Sequence, residues 1–128
     1  MPAFTFADAP PLVVDHYHPS PATIVLVAHG DVDASNACDL VTAVRHALES
    51  CDGLVLDLTA VGFFGAQGLR ALDIISECST PRVVLVPSPA VSRLLQLCAT
   101  APPMRLAEDV DAAVTMVQAG LRSLRLLI

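Results

Sequence analysis

Residues 54–69 read LVLDLTAVGFFGAQGL, and the change of pattern inside this stretch decides the fold. Side chains alternate between the two faces of a strand, so Leu54, Leu56 and Leu58 share one face while Val55 takes the other. Both faces are apolar. A strand buried on both sides belongs to a sheet with layers packed above and below it, as parallel sheets have. After Gly62-Phe63-Phe64-Gly65, read as a loop, the apolar spacing turns helical, and the pattern predicts a helix from about Ala66 to Cys78. Strand, loop and helix in that order make the basic unit of an α/β domain.

The same alternation extends in both directions. Upstream, residues 12–16 and 23–28 read as strands joined by a turn through Pro19-Ser20-Pro21. Asp33-Ala34-Ser35-Asn36 then supplies capping residues for a helix running to about Ser50. Its apolar stripe is Ala37, Leu40, Val41, Val44, Ala47 and Leu48. Downstream, residues 82–86 form a fourth strand flanked by prolines. Ser88-Pro89 starts a third helix, with serine at the cap and proline in the first turn. A short fifth strand is expected at residues 104–106, and Glu108-Asp109 opens a last helix with Val110, Ala113, Val114, Val117, Leu121 and Leu124 on one face. The predicted order is β-β-α-β-α-β-α-β-α, a mainly parallel sheet with one antiparallel edge strand. No linker or low-complexity segment interrupts it, so residues 1–128 read as one domain.

Composition narrows the function. The chain has 128 residues, 54% of them hydrophobic, and a net charge of −6. No uncharged run approaches the roughly 18–20 apolar residues that span a bilayer, and the first twenty residues carry acids and no base, unlike a secretory signal. A cytoplasmic protein is expected. All seven basic residues are arginines. Without lysine there is no Walker-type phosphate loop, no receiver-type phosphoryl site and no Schiff-base or Ser-Lys chemistry. The arginines are scattered, so no basic stripe points to nucleic acid. The acidic balance suits a protein partner. No cofactor is indicated.

Three segments in order resemble the STAS family of anti-sigma-factor antagonists. They are Gly30-Asp31-Val32-Asp33-Ala34, the strand and loop of residues 54–69, and Pro87-Ser88-Pro89-Ala90-Val91 with Arg93-Leu94-Leu95. The similarity covers roughly residues 10–125. It implies a non-enzymatic STAS-type domain that docks on an anti-sigma factor, often a serine kinase of the GHKL type, so that a sigma factor is released. By that resemblance the partner-binding residues are Asp31, Ser35, Asn36, Gly65, Ala66, Gln67 and Arg70. The family's usual switch is a serine or threonine after an aspartate at the start of the second helix, where added phosphate repels the partner. Here Gly65 stands at the aspartate position and Ala66 at the hydroxyl position, so that switch is absent. Thr59 and Ser35 lie near the same end as other hydroxyls.

The cysteines offer one candidate substitute. Cys38, Cys51, Cys78 and Cys98 lack metal-like spacing, and without a secretory signal they are expected as reduced thiols. Helix starts lie at the functional end of a parallel βα sheet, which places Cys38 there. Cys51, Cys78 and Cys98 lie at helix ends, where the dipole disfavours thiolate. A Cys78–Cys98 disulfide is the candidate redox switch, against the plainer reading that all four are small core residues. His16 and His18 form an HxH pair with no third ligand near in sequence, so edge-strand histidines are expected and no metal. Asp57 is expected to hydrogen-bond at the end of its strand. A rival class is a thiol enzyme centred on Cys38, weakened by the lack of a nearby base. A third reading keeps the family and makes the chain a scaffold or ligand-binding module of a larger sensory complex.

Overall fold

The computed structural model describes residues 12–79, 82–98 and 104–127. β1 (Val13–Ser20) and β2 (Thr23–Val32) pair antiparallel. β3 (Gly53–Phe64), β4 (Val83–Val86) and β5 (Arg105–Leu106) follow in parallel, giving a five-stranded sheet of order β1-β2-β3-β4-β5. The connecting helices are α1 (Ala37–Leu48), α2 (Ala66–Ser79) and α3 (Pro89–Leu97), and α4 (Val110–Leu127) closes the described chain. The α/β class and element order are those predicted.

Sequential strand order explains the layering. When each parallel strand lies beside its predecessor, every right-handed crossover falls on the same face. The larger core cluster accordingly joins Leu26, Leu54, Leu56 and Leu85 to Leu40 and Val44 of α1, Leu72 and Ile75 of α2 and Val91 of α3. The opposite parity, Val25, Val55, Val84 and Val86, packs against Ala113 and Val117 of α4. Burying one such leucine contributes about 2 kcal/mol, which makes β3, apolar on both faces, the axis of the domain. Gly53 lets α4 approach closely, because a Cβ there would stand 2.3 Å from Val117 Cγ1.

Two boundaries differ from the sequence reading. β2 continues to Val32 and β3 to Phe64, so Gly62, Phe63 and Phe64 belong to a strand and not to a loop. The ladder shifts register between Val27 and His29 and again between Gly30 and Asp31, where Gly30 takes φ 102°. Such irregularities break the period-2 alternation. β1 also outruns its predicted end, carrying Pro19, and the turn falls at Pro21-Ala22. A proline is tolerated there because β1 is an edge strand.

Candidate functional site

The carboxyl ends of β2 and β3 lie side by side, and the starts of α1 and α2 follow directly from them. Asp31 pairs in register with Phe63 and Val32 with Phe64, and the Gly65 N–H donates to the Val32 carbonyl at 3.1 Å. The two segments that carry Asp31, Ser35 and Asn36 and Gly65, Ala66 and Gln67 therefore form one surface. Arg70, exposed, lies four residues beyond Ala66 and so on the same side of α2. Cys38, exposed in the first turn of α1, is at this end too.

The β2–α1 connection is held by its own polar side chains. Asp33 Oδ1 accepts from the Ser35 N–H at 2.8 Å and from the Ser35 hydroxyl at 2.5 Å. Those bonds, the hydroxyl first, hold the Asp33 carboxyl below its ordinary value of 3.8. Asn36 Oδ1 accepts from the Asp33 N–H and Asn36 Nδ2 donates to the Asp31 carbonyl, both at 2.9 Å. Asn36 occupies the cap position of α1, yet its side chain makes no capping bond. It stitches backward into the loop instead of forward into the helix. At the third helix the expectation is met, since Ser88 Oγ accepts from the Val91 N–H at 3.2 Å.

The β3–α2 junction divides its two adjacent phenylalanines. Phe64 is 5% exposed and Phe63 is 54% exposed. Neighbours on a strand face opposite sides, and Gly68 makes room for the inward ring: a Cβ there would lie 2.7 Å from Phe64 Cε1. The Phe63 ring leans toward Gly65, 3.2 Å from where a Cβ would be. Thr59, Ala60, Gly62, Ala66 and Gln67, in the same stretch of chain, are also exposed. Adjacent phenylalanines cannot both face one core, so the sequence leads one to expect one buried and one partly exposed ring, as found, although it does not say which. Asp57 is buried and accepts from the Thr59 N–H at 3.0 Å and the Thr59 hydroxyl at 2.7 Å; the hydrogen bond expected of it is present, but in mid-strand, because β3 continues to Phe64.

The other candidates lie elsewhere. Cys51 is buried after α1, and burial pushes its thiol above the ordinary 9.0 against the opposing pull of Arg82. Cys98 caps the end of α3 as a free thiol, while the side chain of Cys78 lies outside the described residues. The rings of His16 and His18 meet edge to face at 5.9 Å, and His46 of α1 lines the same hollow. Among the described residues no group of three His, Cys, Asp or Glu could hold a metal ion, and no helix is long and apolar enough to cross a membrane.

Comparison with known proteins agrees with this geometry. The model of the STAS domain matches residues 17–113. An anti-sigma factor antagonist from Mycobacterium paratuberculosis is similar in structure, with 27% identity, TM-score 0.67, and coverage of 84% of this chain and 93% of that one. SpoIIAA in its unphosphorylated form shares the fold at 17% identity and TM-score 0.62, over 84% of this chain and 97% of the other. An RsbS variant of Moorella thermoacetica does so at 19% identity and TM-score 0.67, over 87% and 97%. No curated protein matches the sequence. With the family model covering most of the sheet and all three crossover helices, the chain belongs to the STAS-domain family.

Proposed function

We propose that this chain is an anti-sigma-factor antagonist whose docking surface is the joined end of β2, β3 and α2. The observation that carries the reading is the exposed Phe63 beside a helix start made of Gly65, Ala66 and Gln67. An outward aromatic beside Gly65 and Ala66 offers a partner an apolar anchor and a close approach to the backbone. Asp31, Ser35, Asn36 and Arg70 supply the polar rim that sets orientation. The likeness to the Mycobacterium paratuberculosis antagonist supports the choice of partner. Ala66, the first residue of α2, has no hydroxyl. Docking at this surface is therefore not released by phosphorylation at that position; the surface is either constitutively competent or regulated elsewhere.

The test is calorimetric titration of the chain against each anti-sigma factor encoded in the same genome. One of them binds, Ala66→Glu weakens that binding at least tenfold, and Phe63→Ala does the same. Ala66→Ser restores an acceptor that a kinase-type partner phosphorylates, while the wild type takes up no phosphate at residue 66. Absence of binding by every anti-sigma factor, or indifference to Ala66→Glu and Phe63→Ala, contradicts the proposal.

A further inference from the structure

A cavity of about 180 Å³ opens at the opposite end of the sheet, beneath α4. Val84, Met116, Val117 and Leu121 form its walls, and Arg82, Arg105 and Asp52 also line it. A dry apolar cavity of about 150 Å³ is enough to hold benzene, so this one accommodates a group of comparable size. The charged side chains are two arginines against one aspartate, in a chain whose net charge is −6. Arg82 is fixed by donating from Nε to the Asp52 carbonyl at 3.1 Å and from Nη2 to the Leu48 and Cys51 carbonyls. Arg105 is exposed and has no described hydrogen-bond partner. A local positive bias on an acidic protein favours an anion.

Gly120 adds an independent sign. It lies in the interior of α4 and lines the cavity, yet a Cβ there would meet nothing within 4 Å. Close packing therefore does not require glycine at this place, in contrast with Gly53 and Gly68. Glycine inside a helix costs about 1 kcal/mol relative to alanine. Gly120 is exposed, so a longer side chain placed there would stand at the mouth of the cavity.

We propose that this cavity binds a small apolar monocarboxylate of about six to eight carbons, its hydrocarbon part under α4 and its carboxylate at Arg105. The site is distinct from the docking surface and does not depend on the antagonist reading.

Octanoate is the probe, titrated into the full chain by calorimetry, with octanamide as its uncharged counterpart. Octanoate binds saturably with one site per chain and at least tenfold more tightly than octanamide. Arg105→Gln removes most of that difference, since a hydrogen bond to a charged group is worth a factor of about ten or more. Gly120→Leu places side chain in the open approach and abolishes binding of both, while its melting temperature stays at or above the wild-type value. The surface substitution Arg105→Gln keeps the test decisive if Gly120→Leu perturbs the helix. No saturable binding, equal binding of octanamide, or full binding by Gly120→Leu would overturn the proposal.

Discussion

The two ends of the sheet are held by different kinds of bond. At the carboxyl ends of β2 and β3 the side-chain hydrogen bonds are local: Asp33 to Ser35, Asn36 to Asp33 and Asp31, Thr59 to Asp57, spanning two to five residues. At the other end, Arg82 reaches the carbonyls of Leu48, Cys51 and Asp52 across 30 to 34 residues. Local bonds shape a loop without tying distant elements together, and they leave Phe63, Ala66 and Gln67 free to meet a partner. Long-range bonds join the end of α1 to the start of β4 and contribute to global stability. The proposed docking end and the anchoring end are thus separated by the length of β3, and substitutions are expected to divide accordingly.

The largest expected effect is Arg82→Ala. It strips the charged donor from three carbonyls at the end of α1, where a cation also favours the helix dipole. Allowing for its partial exposure, the loss is about 2–3 kcal/mol, or a melting temperature lower by about 10 °C, with affinity for the anti-sigma factor unchanged within about twofold. A loss of affinity as large as that of Ala66→Glu would break the division between the ends.

The cysteines sharpen it by rate. Cys38 is exposed at the docking end, whereas Cys51 is buried at the anchoring end with its thiol shifted upward. Iodoacetamide pulses read by mass spectrometry should label Cys38 at least ten times faster, because alkylation needs access and thiolate. For Cys51 the sign is that of a group protonated more firmly when folded. Its contribution is complete below 9.0 and is lost as pH rises through the raised folded value. Comparable labelling of both thiols would place Cys51 in a segment that opens locally.

The smallest effect concerns Asp33. Its pKa is lowered in the fold, so its stabilisation is present above 3.8 and disappears as pH falls through the lowered folded value. Because its bonds are local to the loop, this is a local loosening of the β2–α1 connection, seen as faster amide exchange at Ser35 on acidification, with the global melt scarcely moved. Ser35→Ala removes the hydroxyl bond but keeps the N–H bond, so it should weaken that pH dependence, and Asp33→Asn should abolish it. Persistence of the dependence in Asp33→Asn would assign it to another carboxylate.

Much of this arrangement was legible in the sequence because burial on both faces leaves a plain signature. LVLDL at residues 54–58 cannot be half-exposed, and Ser88-Pro89 marks a helix start by chemistry alone. Extension of β3 to Phe64 was hidden, since the register shifts and Gly62 erase the alternation on which strand reading depends. Residues 33–36 carry capping side chains by type, but residue type does not reveal that Asn36, at the cap position, turns backward into the loop. The role of Arg82 was invisible for a different reason: its partners are backbone carbonyls, which carry no mark in the sequence. His46 joins the hollow of His16 and His18 only through the packing of α1 on the sheet.

The central claim is that one end of the molecule docks the partner. Amide hydrogen exchange of the chain, alone and saturated with the anti-sigma factor it binds, tests this directly. The account predicts new protection at residues 31–38 and 59–70, with the amides of α4 and of residues 49–53 unchanged. Protection centred on α4 or around Arg82, with residues 59–70 exchanging as in the free chain, would contradict it.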